Sequence, residues 1–384
     1  MKITSRLITL TISVFIFALI ATGQDMPVRT TSVQTEYECI RLMSSNRTLP
    51  PGPPEPFVTY HHVWSPNLHT YRFASGGLNL AYNVEGKGKE LAIVVAGGPG
   101  LPREYFQPAL APLGQYMTLV YYDRRADVLS TKTNQFVSVS ELADDVNELR
   151  KTLGYRRVTL IAHSFGGAIA LNYALRYPEN VKRLILVNTS AFVEDQREVE
   201  KRLTQSLNTE EMATLNRNDL PGRTTVSCDT VRNRYRVFFP HYFRKPLEEY
   251  LAESNLYAAY FDALARKLSF VTPEGKFDVR SRLGEIKVPT LVIAGKYDLV
   301  TPIRHADELA QGIPNSRLAV FKHSGHFAFI EENFLFTEWV RQFVTSTVDL
   351  QEDLDIRIEI ATPGNEKPAD KTSTTDGAKD PNNR

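Results

Sequence analysis

The stretch RVTLIAHSFGGAIALNYAL, Arg157 to Leu175, changes character at its middle. Its first part is apolar and β-branched, as suits a strand buried on both faces. Its second part reads as a helix that ends before Pro178. Ser164 stands at the junction, with Gly166 and Gly167 just after it. A strand, a sharp turn and a helix are the setting of a nucleophile elbow, in which small neighbours let a serine take a strained backbone and face outward. The G-x-S-x-G pattern has Ala162 in place of its first glycine, which is a mild steric demand. Taken alone, the stretch is equally an ordinary small-residue turn with a passenger serine.

The same alternation continues outward in both directions. Upstream, Tyr71 to Gly86 reads as a pair of strands around Gly76-Gly77. Glu90 to Gly97 and Tyr116 to Asp123 read as buried strands, and Ser138 to Gly154 as a helix with a serine cap and a glycine stop. Downstream, VKRLILVN, KVPTLVIAGKYD and SRLAVFKHSGH are strands, HADELAQGI is the helix between the last two, and ENFLFTEWVRQFVTS is a closing amphipathic helix. This β-α-β-α rhythm predicts an α/β fold with a mostly parallel, doubly wound sheet. Ser190 to Gly284 breaks it: the interval is polar, helix-prone and without strand-like runs, and far too long for a connecting loop. It is expected to be an inserted helical cap.

A serine hydroxyl needs a base, and the base needs an orienting acid. Asp298 lies just past the strand TLVIAG, where ligands bind in open α/β sheets. His326 follows the next strand in a glycine-containing loop. Ser, then Asp, then His is the chain order that elbow serines use. His323 competes with His326, but it is expected to continue the strand, which favours His326 as the base. Gly97, Gly98 and Gly100 follow a core strand and let the backbone approach a reacting group. Acyl transfer builds negative charge on a carbonyl oxygen, and the N–H groups of Gly98 and Phe165 are the candidate donors to it. The loop lacks both the G-x-x-x-x-G-K-[ST] pattern and the dinucleotide fingerprint.

With these residues in place, the chain resembles the α/β-hydrolase superfamily over about Tyr71 to Thr347, and more narrowly the prolyl iminopeptidases and their relatives. The matching pieces are Gly97-Gly98-Pro99-Gly100, AHSFGG, Asp123, Arg125 and Ser130 of DRRADVLS, Asp298 and His326. The resemblance implies the α/β-hydrolase fold, a Ser164–Asp298–His326 triad, a cap between two halves of the core, and no cofactor. Four residues depart from the pattern: Ala96 replaces a histidine, Arg124 a glutamine, and Ala126 and Val128 two glycines. The family's aminopeptidases hold a substrate ammonium with cap carboxylates. The comparable run here carries Arg232, Arg234, Arg236 and Arg244, with Glu210 and Glu211 as the remaining acidic candidates. The cap aromatics Tyr235, Phe238, Phe239, Tyr242 and Phe243 either roof a pocket or pack the cap itself. Gly97, Tyr235 and Phe239 are the candidate substrate-binding residues.

Composition sets outer limits. Of the 384 residues 42% are hydrophobic and 23% charged, which are ordinary globular values. The net charge of +1 leaves no basic excess for nucleic acid. Two cysteines, Cys39 and Cys228, are too few soft ligands for a metal site, and their pairing stays open. Lys2 and Arg6 precede an apolar run, Leu7 to Ile20, and the small residues Ala21 and Gly23. This is a signal-peptide layout, and the run is shorter than the roughly 18 residues of a membrane span. Export is expected, with cleavage after Gly23 and no stable membrane insertion afterwards. Asn46 and Asn188 head glycosylation sequons, which matter only in a eukaryotic secretory pathway. The predicted organisation is a signal peptide (1–23), a proline-rich linker (24–56), the first part of the core (57–189), the cap (190–284), the second part of the core (285–348) and a disordered tail (349–384).

The function expected is an exported serine hydrolase that cleaves an ester or amide of a small-molecule or short-peptide substrate. Proline iminopeptidase-like and carboxylesterase or lactonase activities both remain open. So does a binding protein on the same scaffold, since fold does not fix function. Dehalogenase and epoxide hydrolase chemistry is disfavoured, because those relatives carry aspartate where this chain has Ser164.

Overall fold

A computed structural model describes residues 70–98, 103–125, 137–218, 237–245, 271–272 and 275–346. The chain divides into two units, Met1–Thr347 and Val348–Arg384, and every described residue lies in the first. The expected signal peptide, linker and tail, both cysteines and the Asn46 sequon fall outside the described residues.

The strands are β1 (Tyr71–Ser75), β2 (Leu78–Glu85), β3 (Glu90–Val95), β4 (Met117–Tyr122), β5 (Val158–His163), β6 (Val181–Val187), β7 (Val271–Thr272), β8 (Gly275–Lys276), β9 (Thr290–Gly295) and β10 (Ser316–Phe321). Eight of them form one sheet in the order β1-β2-β4-β3-β5-β6-β9-β10. The β1–β2 and β2–β4 pairs are antiparallel, and all the others are parallel. This is the mostly parallel α/β sheet that the sequence rhythm predicts, in the α/β-hydrolase arrangement that the resemblance implies. The chain turns one way from β3 to β4 and the other way to β5. The ends of β3 and β5 therefore flank a topological switch point, the crevice where open sheets bind ligands.

Alternation along the strands feeds two packing layers. Leu91, Ile93 and Val95 of β3 join one core cluster with Leu160 and Ala162 of β5, Leu184 and Leu186 of β6, and Val292 and Ala294 of β9. Helix α1 (Val139–Thr152), helix α2 (Phe165–Arg176) and helix α5 (Ile303–Gly312) cover that face, through residues such as Leu142, Ile169 and Leu309. The Ser138 and Glu141 side chains form a capping box that starts α1. Short helical turns over Arg103–Gln115 and the helices α6 (Ala328–Glu331) and α7 (Asn333–Thr345) meet at an aromatic seam. Phe106 stacks on Phe329 at 4.3 Å between centroids, and Phe329 meets Phe336.

The interval after β6 begins with helices α3 (Gln196–Ser206) and α4 (Thr209–Asn218). Contrary to the expectation of no strands, it also contains the antiparallel pair β7–β8. The interval leaves and rejoins the core side by side. The Val193 N–H donates to the Phe277 carbonyl at 3.0 Å, and the Val279 N–H to the Ala191 carbonyl at 2.8 Å. Phe277, Val279 and Leu283 then pack into the core cluster, so the end of the interval belongs to the core's packing.

Candidate active site

Ser164 has φ 51° and ψ −123°, a conformation that L-residues rarely adopt. Its surroundings hold it there. Its N–H donates to the Val187 carbonyl at 3.0 Å, and its own carbonyl accepts from the Gly167 N–H at 2.8 Å and the Thr189 hydroxyl at 2.6 Å. A Cβ at Gly166 would stand 2.2 Å from the Val95 carbonyl oxygen, which is why the turn needs glycine there. Ala162 lies inside β5 rather than in the turn, and its methyl is part of the core cluster.

The structure brings Asp298 and His326 to this serine. The Ser164 hydroxyl lies 3.0 Å from His326 Nε2, and His326 Nδ1 lies 2.8 Å from Asp298 Oδ2. Asp298 accepts further bonds from the Val300 and Thr301 N–H groups, the Thr301 hydroxyl and the Asn188 side-chain amide. Burial pushes the Asp298 carboxyl up, but His326 and the Thr301 donors outweigh it and hold the group below its ordinary range. An ionised Asp298 only accepts, so His326 Nδ1 carries the proton and Nε2 presents its lone pair to the serine. His323 was expected to continue the strand but does not: β10 stops at Phe321, and His323 sits exposed in the following turn.

A second histidine, His163, is fully buried beneath this arrangement. Its Nε2 lies 2.9 Å from the His326 carbonyl oxygen, which can only accept, so Nε2 carries the proton. Its Nδ1 then accepts from the Tyr105 hydroxyl at 2.7 Å, and that hydroxyl accepts from the Gly97 N–H at 2.8 Å. Burial, with the neighbouring His326, pushes His163 well below the ordinary imidazole range, so it stays neutral. This chain of bonds joins the glycine loop after β3 to the loop that carries His326. A Cβ at Gly97 would meet His163 Nδ1 at 2.8 Å, so Gly97 is enclosed by this network. Gly98 follows with φ 113°, a backbone that favours glycine. Phe165 opens helix α2 directly after Ser164.

The cap is fastened to the same loop. The His326 N–H donates to the Tyr242 carbonyl at 2.6 Å. Glu331 accepts from the Gly325 N–H on one oxygen and from the Arg244 and Lys245 N–H groups on the other. Burial pushes the Glu331 carboxyl up to about 7 against the pull of those three N–H groups. Phe239, expected on a pocket wall, is fully buried and packs against Tyr242, Phe243 and Phe327. Arg244 lies over the Tyr297 ring at 4.5 Å, beside a cleft of about 340 Å³ next to the Asp298 loop. Glu211 is engaged by His241 and by the Asn208 N–H, and Glu210 stands exposed on α4. Tyr235, Pro99, Gly100, Ala126, Val128, Ser130, Arg232, Arg234 and Arg236 lie outside the described residues.

Sequence reasoning missed Asn188, taken only as the head of a sequon. It is 1% exposed, with φ 45°, and its amide nitrogen donates to Asp298 and, at 3.1 Å, to the Gly325 carbonyl. It also missed His163, Tyr105 and Glu331. Among the described residues no helix is long and apolar enough to cross a membrane.

Comparison with known proteins agrees with this architecture. The family profile described as alpha/beta hydrolase fold matches residues 93–333. The chain is 28% identical over 293 residues to a proline iminopeptidase of Saccharolobus solfataricus, covering 71% of this chain and 91% of that one. Two solved structures share the fold. An esterase from Exiguobacterium antarcticum has a TM-score of 0.54 at 23% identity, covering 72% of this chain and all of that one. The enol-lactonase from Burkholderia xenovorans has a TM-score of 0.52 at 23% identity, with the same coverage of both chains.

Proposed function

This chain belongs to the alpha/beta hydrolase fold family, and we propose that it is a serine hydrolase that opens an ester or amide bond through an acyl-enzyme. The observation that carries this reading is the Ser164 hydroxyl, held in a strained turn 3.0 Å from His326 Nε2, with Asp298 behind it. Ser164 attacks the substrate carbonyl while His326 takes its proton. The Gly98 and Phe165 N–H groups face the oxygen on which charge develops. His326 then protonates the leaving alcohol or amine, and a water, deprotonated by His326 in turn, frees the acid and restores Ser164. Asp298 keeps His326 in the tautomer that both half-reactions need.

The substrate in this reading is a small molecule or a short peptide, and the enzyme acts outside the cytoplasm after loss of residues 1–23. The proline iminopeptidase relative supports an amino-terminal proline amide as one substrate class. Glu211 bears on that reading: it is already held by His241 and Asn208, which leaves it a poor holder of a substrate ammonium.

The test is mass spectrometry after a fluorophosphonate probe, followed by a panel of acyl esters, lactones and proline amides. The expected result is one adduct at Ser164, absent in Ser164→Ala, with turnover of at least one class. An unmodified Ser164 together with no turnover overturns the reading in favour of a binding protein on this scaffold. Sequencing the amino terminus of secreted protein tests export, and a retained Met1 counts against it.

A further inference from the structure

We propose that Arg124 is a positioning residue of the oxyanion site, a buried guanidinium that fixes and polarises the peptide unit whose N–H faces the reacting carbonyl oxygen. The proposal rests on the serine-hydrolase reading above and adds a residue to it. Arg124 follows the end of β4 and is completely buried. Its Nη1 donates to the carbonyl oxygens of both Ala96 and Gly97, each at 2.9 Å. Its guanidinium carbon lies 5.9 Å from the centre of the Phe165 ring, so it also adjoins the residue proposed as the second oxyanion donor.

The Gly97 carbonyl and the Gly98 N–H belong to one peptide unit. In a planar trans peptide they point in opposite directions, so a donor gripping the carbonyl aims the N–H away from itself. Hydrogen bonds in series polarise one another, and a charged donor does so more strongly than a neutral one. The preceding peptide is held in the same way: its Ala96 carbonyl accepts from Arg124, and its Gly97 N–H donates to Tyr105. The first of these two peptide planes is thereby held from both sides and the second from its carbonyl side, which limits reorganisation as charge builds on the substrate oxygen. Ala96 and Arg124 are both departures from the family pattern, and here they meet in one hydrogen bond.

The experiment compares Arg124→Gln, which keeps an N–H donor without the charge, and Arg124→Lys, which keeps the charge without the planar fork. Both are made in the full chain and assayed on the best substrate of the panel. Fluorophosphonate titration counts competent sites, and a boronic acid serves as a mimic of the tetrahedral species. The expected result is a KM within about twofold of wild type and a kcat per titrated site lower by roughly 10- to 100-fold. Boronate affinity falls by the same factor as kcat/KM. Arg124→Lys reports even where Arg124→Gln fails to fold. Wild-type kcat per site in every variant that folds, with only a lower melting temperature, makes Arg124 a purely structural residue and overturns the proposal. An unlabelled Ser164 with no turnover in the wild-type protein overturns both readings together, whereas a labelled Ser164 with unchanged kcat per site overturns this one alone.

Discussion

The side-chain amide of Asn188 donates to Oδ2 of Asp298 at 2.8 Å, on the same oxygen that receives His326. Asn188 directly follows β6 with φ 45°, and asparagine tolerates that backbone better than most residues. The same amide reaches the Gly325 carbonyl, so one side chain spans Asp298 and the loop that carries His326.

Asn188→Gly keeps the backbone and removes the amide. It is expected to lower kcat/KM by roughly tenfold and stability by about 1–3 kcal/mol, since a buried carboxylate and a carbonyl each lose a donor. Steady-state kinetics and urea denaturation measure the two effects. Expression in a glycosylating host is expected to leave Asn188 unmodified in folded protein, which peptide mass spectrometry reads directly.

Tyr105→Phe removes the hydroxyl between Gly97 and His163. The Gly97 N–H and His163 Nδ1 both lose their partner in a buried setting. At roughly 1–3 kcal/mol per orphaned group, the variant is expected to lose about 2–6 kcal/mol of stability. Chemical denaturation checks it, and a loss below about 1 kcal/mol would mean that water has replaced the hydroxyl.

Glu331 gives the protein a pH-dependent element. Its carboxyl is raised in the folded state, from the 4.5 of an ordinary glutamate to about 7. The folded state therefore binds the proton more tightly than the unfolded chain. Its contribution is complete below about pH 4.5 and is lost as pH rises through about 7. Relative to Glu331→Gln, the wild-type stability margin is expected to shrink by about 2–3 kcal/mol between pH 4.5 and pH 8. Urea denaturation of both proteins across that range tests the sign; parallel curves would refute it.

Gly166→Ala places a methyl 2.2 Å from the Val95 carbonyl oxygen and 2.7 Å from that of Ala96. Those are backbone atoms of the strand before the glycine loop, and they cannot yield as a side chain can. The variant is expected to lose about 2–4 kcal/mol. Gly167→Ala sets its methyl 2.1 Å from Thr189 Oγ1 and 2.6 Å from Thr189 Cβ, so it is expected to destabilise as well and to displace the hydroxyl that holds the Ser164 carbonyl. Thermal melting of the two variants ranks them.

The sheet and the three residues that meet at Ser164 were legible because their signals are local. Ser164 is marked by the switch from a buried strand to a helix, with two glycines beside it. Asp298 and His326 sit just past apolar strands, where chain order alone narrows the choice. Asn188, His163, Tyr105, Glu331 and Arg124 are different. Asn188 and Asp298 are 110 positions apart, and His163 and His326 are 163 apart. Such roles arise only when the sheet closes, and no short window of sequence carries them. Asn188 was further masked by the sequon it heads. Phe239 was ambiguous for another reason: an aromatic side chain serves a pocket wall or a packed seam equally well until its neighbours are known.

The seam between the cap and the base loop has a consequence for recombination among relatives. Tyr242 supplies a backbone acceptor to His326, and Arg244 and Lys245 supply backbone donors to Glu331. These contacts use main-chain atoms, so they are indifferent to the side chains of the incoming segment but strict about its path. A chimera that exchanges this segment can therefore vary residues 244 and 245 in identity, apart from proline, but must keep the buried aromatic packing at 242 and 243. It must reproduce their trace, or the histidine loses one wall of its mounting along with the old roof.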